Sequence, residues 1–316
     1  MMRQVKLQDS FLDERRELSL YDVVFPLLSM TESGVPEFLL GSCFPLGRGL
    51  YATAAHVFEP FMIARRRYTR LQSCDTPLTD DEKSERARDI ATARPFDDID
   101  VNCGALILDQ AAIRNGEFRL VGFSLVKHIE MFLDDDLALL FLHDDKRRNK
   151  HGDIAPIGCL PITESPSVGE KVTVTGFPAR NNRIKIEQKD RLVDFSAWLG
   201  LVESSGEICK LNTVKRDNAV CFFPCIETTA RMAAGHSGGP AISIDTGGVI
   251  GVNSTGLEST AYSVVSWIGK ALDHEFTLPF AVQAGDCDIA PGRVVSLRLL
   301  AKRGLLQINS RSENDR

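Results

Sequence analysis

A chain of 316 residues is long enough to bury one large or two small cores. With 43% hydrophobic and 25% charged residues it has an ordinary soluble, globular composition. Its net charge of −6 excludes a general attraction to nucleic acid or to an anionic membrane surface. The longest apolar run, Leu137–Leu142, is the length of a strand and far short of a membrane span, so no membrane is expected as a partner.

Residues 1–20 are charged and read as an N-terminal extension with a helix start at Ser10-Phe-Leu-Asp13. They contain no apolar core of a secretory signal, so none is expected. From residue 23 the pattern is one of short apolar runs broken by turns, at 23–29, 38–44 and 49–57. Strands at this spacing predict an all-β sandwich or barrel. Residues 61–100 interrupt it. Thr79-Asp-Asp-Glu82 is a capping box, and 80–93 has helical composition without a clear apolar stripe, so an exposed, mostly helical or irregular insertion is expected. Strand signals return at 101–108, 117–126, 128–132 and 137–142, and polar residues 143–153 link a first unit, 21–150, to a second, 151–275. In the second unit 171–176, 199–203, 207–211, 219–226, 241–244 and 248–253 read as strands, with 212–218 a hairpin loop. Residues 276–316 remain as a C-terminal extension, with strand-like stretches at 293–300 and 304–308 before a polar tail. Arg65-Arg-Arg-Tyr-Thr-Arg70 and Lys146-Arg-Arg-Asn-Lys150 are local basic clusters that read as solvated loops.

Three stretches carry the chemistry. Leu50-Tyr-Ala-Thr-Ala-Ala-His56-Val57 is an apolar strand ending in a histidine. Asp134-Asp-Asp136-Leu-Ala-Leu-Leu-Phe-Leu142 is an aspartate entering a buried strand. Arg231-Met-Ala-Ala-Gly-His-Ser237-Gly-Gly-Pro240 sets a hydroxyl among glycines, where the backbone can approach a bound carbonyl. The order His, Asp, Ser is one of those in which a catalytic triad recurs on unrelated folds. Together with Gly176-Phe-Pro178 and Gly251-Val-Asn-Ser254, these stretches resemble the trypsin-like (chymotrypsin-fold) serine proteases, on the bacterial branch that includes the HtrA-type enzymes. The matching motifs run in the family's order from about residue 20 to about residue 275. The C-terminal extension is too short for the PDZ domain of the HtrA proteases.

The resemblance implies two packed antiparallel β-barrels, with His56 and Asp136 on the first and Ser237 on the second. Residues 261–272 then correspond to a closing strand and a short C-terminal helix. It implies an endopeptidase acting on polypeptide substrates without a metal or other cofactor. Ser237 is the nucleophile, His56 the general base and then acid, Asp136 the group that sets the imidazole tautomer, and the amides of Gly235 and Ser237 the oxyanion hole. Asp134 and Asp135 are rivals to Asp136, which the motif favours; His128, His143, His151 and His274 have no comparable context.

The residue six before the serine, Arg231, falls at the base of the pocket for the side chain preceding the scissile bond, with Met232, Ser254 and Gly256. A cation there disfavours cleavage after Lys or Arg. Either Arg231 points inward and selects Glu or Asp, or it turns outward to a carboxylate such as Glu227 and leaves a small apolar pocket around Met232. His236 stands where digestive relatives carry the aspartate that pairs with a new N-terminus, so no zymogen cleavage is expected. Val57 replaces the cysteine that many secreted relatives bridge to the preceding strand. Cys43, which stands where the family strand usually has a glycine, therefore lacks that partner, and the eight cysteines read as reduced in a cytoplasmic protein. Cys221 and Cys225 have no zinc-site spacing. Two other readings are open. Gly235-His-Ser-Gly-Gly239 also fits the nucleophile elbow of α/β-hydrolases, which requires a helix after the serine. A protease fold kept as a catalytically latent binding protein is the other.

Overall fold

The computed structural model describes residues 20–30, 36–47, 49–58, 103–108, 120–142, 147–148, 154–155, 159–178, 183–189, 192–198, 200–217, 221–256, 261–284 and 287–309. A one-turn helix, α1 (Leu20–Val23), leads into β1 (Phe25–Met30), β2 (Pro36–Gly47), β3 (Leu50–Thr53), β4 (Cys103–Leu108), β5 (Leu120–Phe132) and β6 (Leu137–Leu142). These six close into an antiparallel barrel in the order β1-β2-β3-β6-β5-β4, sealed by the β1–β4 pair. Every residue of β3 and β6 is buried, because these strands read Leu-Tyr-Ala-Thr and Leu-Ala-Leu-Leu-Phe-Leu without a polar alternation. One face fills the barrel. The other is covered from outside, where Phe276 and Phe280 stack on Phe141.

A short ladder of β7 (Arg147–Arg148) and β8 (Ile154–Ala155) follows. Next come β9 (Ile162–Thr163), β10 (Lys171–Gly176), a hairpin of β11 (Arg183–Lys189) and β12 (Leu192–Trp198), β13 (Val202–Asn212), β14 (Cys225–Thr228), β15 (Pro240–Ser243), β16 (Val249–Gly256) and β17 (Ser263–Ser266). The pairings run β15-β10-β13-β14-β17-β16, and β15 also pairs with β16, so this sheet closes as well. Taken in chain order, β10, β13, β14, β15, β16 and β17 have the same neighbours as β1 to β6. The molecule is two antiparallel barrels with one strand order, the chymotrypsin arrangement.

The C-terminal segment belongs to the packed structure. It comprises β18 (Phe276–Thr277), β19 (Val282–Ala284), β20 (Cys287–Ile289), β21 (Val294–Val295), the helix α2 (Leu297–Lys302) and β22 (Ile308–Asn309). β22 pairs in parallel with β9, which pairs in parallel with β16, so the chain end extends the second sheet. Leu306 meanwhile bridges to Gly47 of β2 in the first barrel. A side chain at Gly47 would place its Cβ 2.4 Å from the Leu305 carbonyl oxygen, so this approach requires glycine. Phe276, Leu278, Val295, Leu297, Leu300, Leu305 and Leu306 are buried in the same cluster as the first-barrel core.

Several element boundaries differ from the sequence expectation. The described parts of the stretches at 117–126 and 128–132 are one strand, β5 from Leu120, with a register shift between Val126 and His128 that absorbs the extra residue as a bulge. The stretches expected at 199–203 and 207–211 likewise meet in the single strand β13, which begins at Val202. Among the described residues of 219–226, which are 221–226, only Cys225 and Ile226 are strand, and the β11–β12 hairpin was not anticipated. After β17 the chain makes only a 3₁₀ turn, Ile268–Lys270; the short C-terminal helix is α2, inside a stretch expected as strand. Its cap is Ser296, whose hydroxyl accepts the Leu299 N–H at 3.2 Å. The helix expected in residues 1–20 and the insertion at 61–100 lie outside the described residues, apart from Leu20.

Candidate active site

His56 leaves β3 on a 3₁₀ turn, Ala55–Phe58, behind the small residues Ala54 and Ala55. Asp136 ends another 3₁₀ turn, Leu133–Asp135, in the left-handed conformation (φ 47°, ψ 43°), which aspartate tolerates better than most side chains. That turn aims its carboxylate at the histidine. Oδ1 accepts the His56 backbone N–H at 2.9 Å, and Oδ1 and Oδ2 lie 3.0 and 2.9 Å from His56 Nδ1. A carboxylate accepts only, so the ring proton sits on Nδ1 and Nε2 is the basic nitrogen. The Asp136 side chain is 7% exposed and that of His56 36%, so the ring faces the surface over a buried counter-charge.

Ser237 lies in the connection from β14 to β15. His236 N–H donates to Ala233 O at 3.0 Å, and Gly239 N–H to His236 O at 3.0 Å, making two successive tight turns. Gly235 and Gly238 take φ of 99° and 84°. At Gly238 a Cβ would stand 2.1 Å from both Ser42 O and Thr53 Oγ1, so conformation and space both demand glycine. Among the described residues the amides of Gly235 and Ser237 donate to no protein acceptor, and both residues are half-buried. Two such donors flanking a hydroxyl leave hydrogen-bonding capacity open beside Ser237.

Ser42 of β2 holds this loop against the first barrel. Its N–H donates to Ser237 O at 2.8 Å, its hydroxyl donates to Gly235 O at 3.2 Å and accepts Phe177 N–H at 2.9 Å, and its carbonyl accepts Thr53 Oγ1 at 2.8 Å. Its contacts come from both barrels meeting there, and nothing local in the sequence marks them.

Ser254 joins the two halves. Its hydroxyl donates to Asp136 Oδ2 at 2.6 Å, and its carbonyl accepts the Ser237 hydroxyl at 3.0 Å. His56 and Asp136 are thus in direct contact, and Ser237 reaches the same pair through Ser254. The other pocket candidates gather nearby. Met232 N–H donates to Ser263 Oγ at 3.1 Å, and Met232 O occupies the space a side chain at Gly256 would need. Arg231 is exposed, with its N–H on Ser204 Oγ at 2.8 Å. The Glu227 carboxylate, one candidate for its partner, accepts from Asn212 at 3.0 Å and pairs with Arg216 at 3.3 Å and Lys210 at 3.8 Å.

His236 is buried, with Nδ1 3.1 Å from both the N–H and the carbonyl oxygen of Ala233. Burial pushes its pKa below the usual histidine value, against the nearby Ala233 and Val202 carbonyls that favour the charged ring. Of the rival aspartates, Asp134 is exposed and Asp135 turns away to His274, 2.6 Å from Nε2. His274 therefore has a context that its sequence surroundings did not reveal. Among the described residues no group of three or more His, Cys, Asp or Glu is arranged to hold a metal, and no helix is long and apolar enough to cross a membrane. Ser237 is followed by the strand β15 and not by a helix, which removes the α/β-hydrolase elbow.

Among solved structures the chain is similar to the active form of the Rv3671c protease from M. tuberculosis. The identity is 16% and the TM-score 0.44, over 79% of this chain and 78% of that one. It is also similar to the serine endoprotease from Yersinia pestis, at 14% identity and a TM-score of 0.45, over 82% of this chain and 68% of that one. No curated protein matches it in sequence. The model of the trypsin-like peptidase domain matches residues 41–252, well over half the chain and the whole span from Ser42 into β16, the strand that carries Ser254, and the chain belongs to that family.

Proposed function

We propose that the protein is a serine endopeptidase that cleaves polypeptides through an acyl-enzyme on Ser237. The observation that carries this is the arrangement around Asp136. One buried carboxylate sets the His56 tautomer and also accepts the Ser254 hydroxyl, while Ser254 O holds the Ser237 hydroxyl beside two unpartnered amides. Attack begins as the Ser237 hydroxyl turns from Ser254 O to the basic Nε2 of His56. Its proton moves to the ring as Oγ bonds the substrate carbonyl carbon. The carbonyl oxygen becomes an oxyanion between the amides of Gly235 and Ser237, and Asp136 stabilises the imidazolium. His56 then protonates the leaving amine, and a water deprotonated by the same ring releases the acyl group. On this reading residues 21–150 and 151–275 carry the two halves of the site. The exposed Arg231 leaves Met232, Ser254 and Gly256 to shape a small apolar pocket for the residue before the cut. The free thiols of Cys209, Cys221 and Cys225 fit a reducing compartment such as the cytoplasm.

The latent reading has one observation in its favour, the Ser237 hydroxyl resting on Ser254 O. A fluorophosphonate probe separates the two. Rapid labelling of the wild type, absent in Ser237→Ala, together with a loss of turnover on the order of 10⁶ in that variant, is the outcome expected of the protease. A wild type that does not label, or a Ser237→Ala protein that still cleaves at the wild-type rate, overturns it.

A further inference from the structure

Asp136 is the one described non-glycine residue with positive φ, and the N–H···O contact closing its turn, to Leu133 O, is long at 3.3 Å. A left-handed side-chain-bearing residue persists only where its surroundings hold it. Asp135, immediately before it, is 6% exposed and fastened at two points. Its carbonyl accepts the Ser266 hydroxyl of β17, and its Oδ2 lies 2.6 Å from Nε2 of His274, whose ring packs on Phe132 at 5.7 Å between centroids. The carboxylate accepts, so His274 donates. Burial pushes the Asp135 carboxyl above its usual range and His274 pulls it back, as for a charge kept buried by its partner.

His274 is held in turn. Its neighbour Asp273 takes two hydrogen bonds from Arg298 of α2, at 2.7 and 3.0 Å, and Arg298 N–H donates to Leu272 O at 2.9 Å. The same guanidinium reaches Glu164 at 2.7 Å, next to β9. A continuous chain of contacts thus runs from α2 through Asp273, His274 and Asp135 to Asp136 and His56. His274 and Arg298 both lie beyond the end of the peptidase-domain match at residue 252.

We infer that His274 and Asp135 are a positioning pair for the reaction, holding the left-handed turn that presents Asp136 to His56. The C-terminal segment braces this pair through Arg298 of α2, which holds Asp273 and the Leu272 carbonyl just before His274. The inference rests on the endopeptidase reading for its kinetic consequence and on geometry alone for its structural one. A conformational error in the aspartate turn misorients the base without touching the substrate, so the loss appears in kcat and not in KM.

The test compares wild type, His274→Ala, His274→Gln and Asp135→Asn on a peptide substrate. It also follows the His56 Nδ1–H resonance in protein labelled with ¹⁵N-histidine. His274→Ala is expected to lower kcat about ten-fold with KM within about two-fold, and His274→Gln, which keeps an N–H donor, to recover most of it. The Nδ1–H resonance moves or broadens in His274→Ala and returns in His274→Gln. If His274→Ala does not fold, His274→Phe keeps the ring against Phe132 and removes only the donor. Wild-type kcat and an unmoved resonance in both the donor-free variant and Asp135→Asn overturn the inference. A wild type that neither cleaves nor labels sinks the endopeptidase reading instead, and the resonance alone then decides whether the pair positions Asp136.

Discussion

The two barrels share one strand order and hold their parts of the site by different physics. In each, the connection from the third strand to the fourth carries one of the proposed residues: His56 just after β3, Ser237 just before β15. The first barrel contributes charge. His56 and Asp136 are oriented by charge-assisted hydrogen bonds around a carboxylate that is 7% exposed. The second barrel contributes backbone shape. The Ser237 loop is set by glycines at positive φ, by two tight turns and by an approach to Ser42 that leaves no room for a Cβ. A change in the charged half should spare the fold and remove activity, and a change in the shaped half should damage both. Ser254 and Ser42 stand where the two kinds of constraint meet.

The largest effect expected within this contrast is that of Asp136→Asn. The amide keeps the size of the carboxylate and can stabilise the wrong imidazole tautomer, so kcat should fall roughly 10⁴-fold with little loss of melting temperature. Steady-state kinetics with a calorimetric scan of the same sample checks it, and a large fall in stability would blur the contrast. Next comes Gly238→Ala. The new methyl overlaps Ser42 O and Thr53 Oγ1 and strains a backbone at φ 84°, so stability should fall by about 3 kcal/mol or more in urea unfolding, with activity lost as well. An alanine variant with wild-type stability would show that the loop is not shaped by that contact.

A smaller effect belongs to His236, the titratable group inside the shaped half. Its folded pKa lies below the unfolded value, so the unfolded chain takes up the proton first as pH falls. Its contribution is whole above about pH 6.5 and is lost progressively below it. Melting temperature against pH should therefore decline less steeply below pH 6.5 in His236→Gln than in wild type. Equal slopes would assign the acid sensitivity elsewhere. The smallest effect is an absence of reaction. Burial pushes the thiols of Cys221 and Cys225 up to about 11 and 12, so both stay protonated at pH 8. Iodoacetamide should modify them only after unfolding, as read by mass spectrometry, and rapid alkylation of the folded protein would contradict their burial.

The outline of the site was legible because its motifs are local. Thr53-Ala-Ala-His56, Asp136 ahead of an apolar run, and Gly235-His-Ser-Gly-Gly239 each state in a few residues which side chain is presented and what backbone freedom it needs. Ser254 was legible only as a pocket residue, since its bond to Asp136 spans 118 positions. Ser42 showed no signal beyond a family-like strand motif, because its contacts reach residues about 135 and 193 positions away. The Asp134-Asp-Asp136 run offered three carboxylates without saying that the second belongs to His274. Nor did the sequence say that Arg216, from the preceding loop, reaches the Glu227 carboxylate.

By itself, then, the sequence determined the class of strands, the barrel type and the residue types at the chemistry, since hydrophobic pattern, glycine placement and short motifs act within a few residues. It left α2 unread, because a strand-like apolar pattern over 293–300 masked the Ser296 cap. Only the tertiary structure decided how β5 and β13 run unbroken and how β22 joins the second sheet while Leu306 bridges the first barrel. Only the tertiary structure, too, set which carboxylate faces which histidine. Those outcomes depend on contacts beyond the reach of a local motif, from 80 positions for His56 and Asp136 to 139 for Asp135 and His274, where burial and charge compensation select one partner among several that local sequence leaves equivalent.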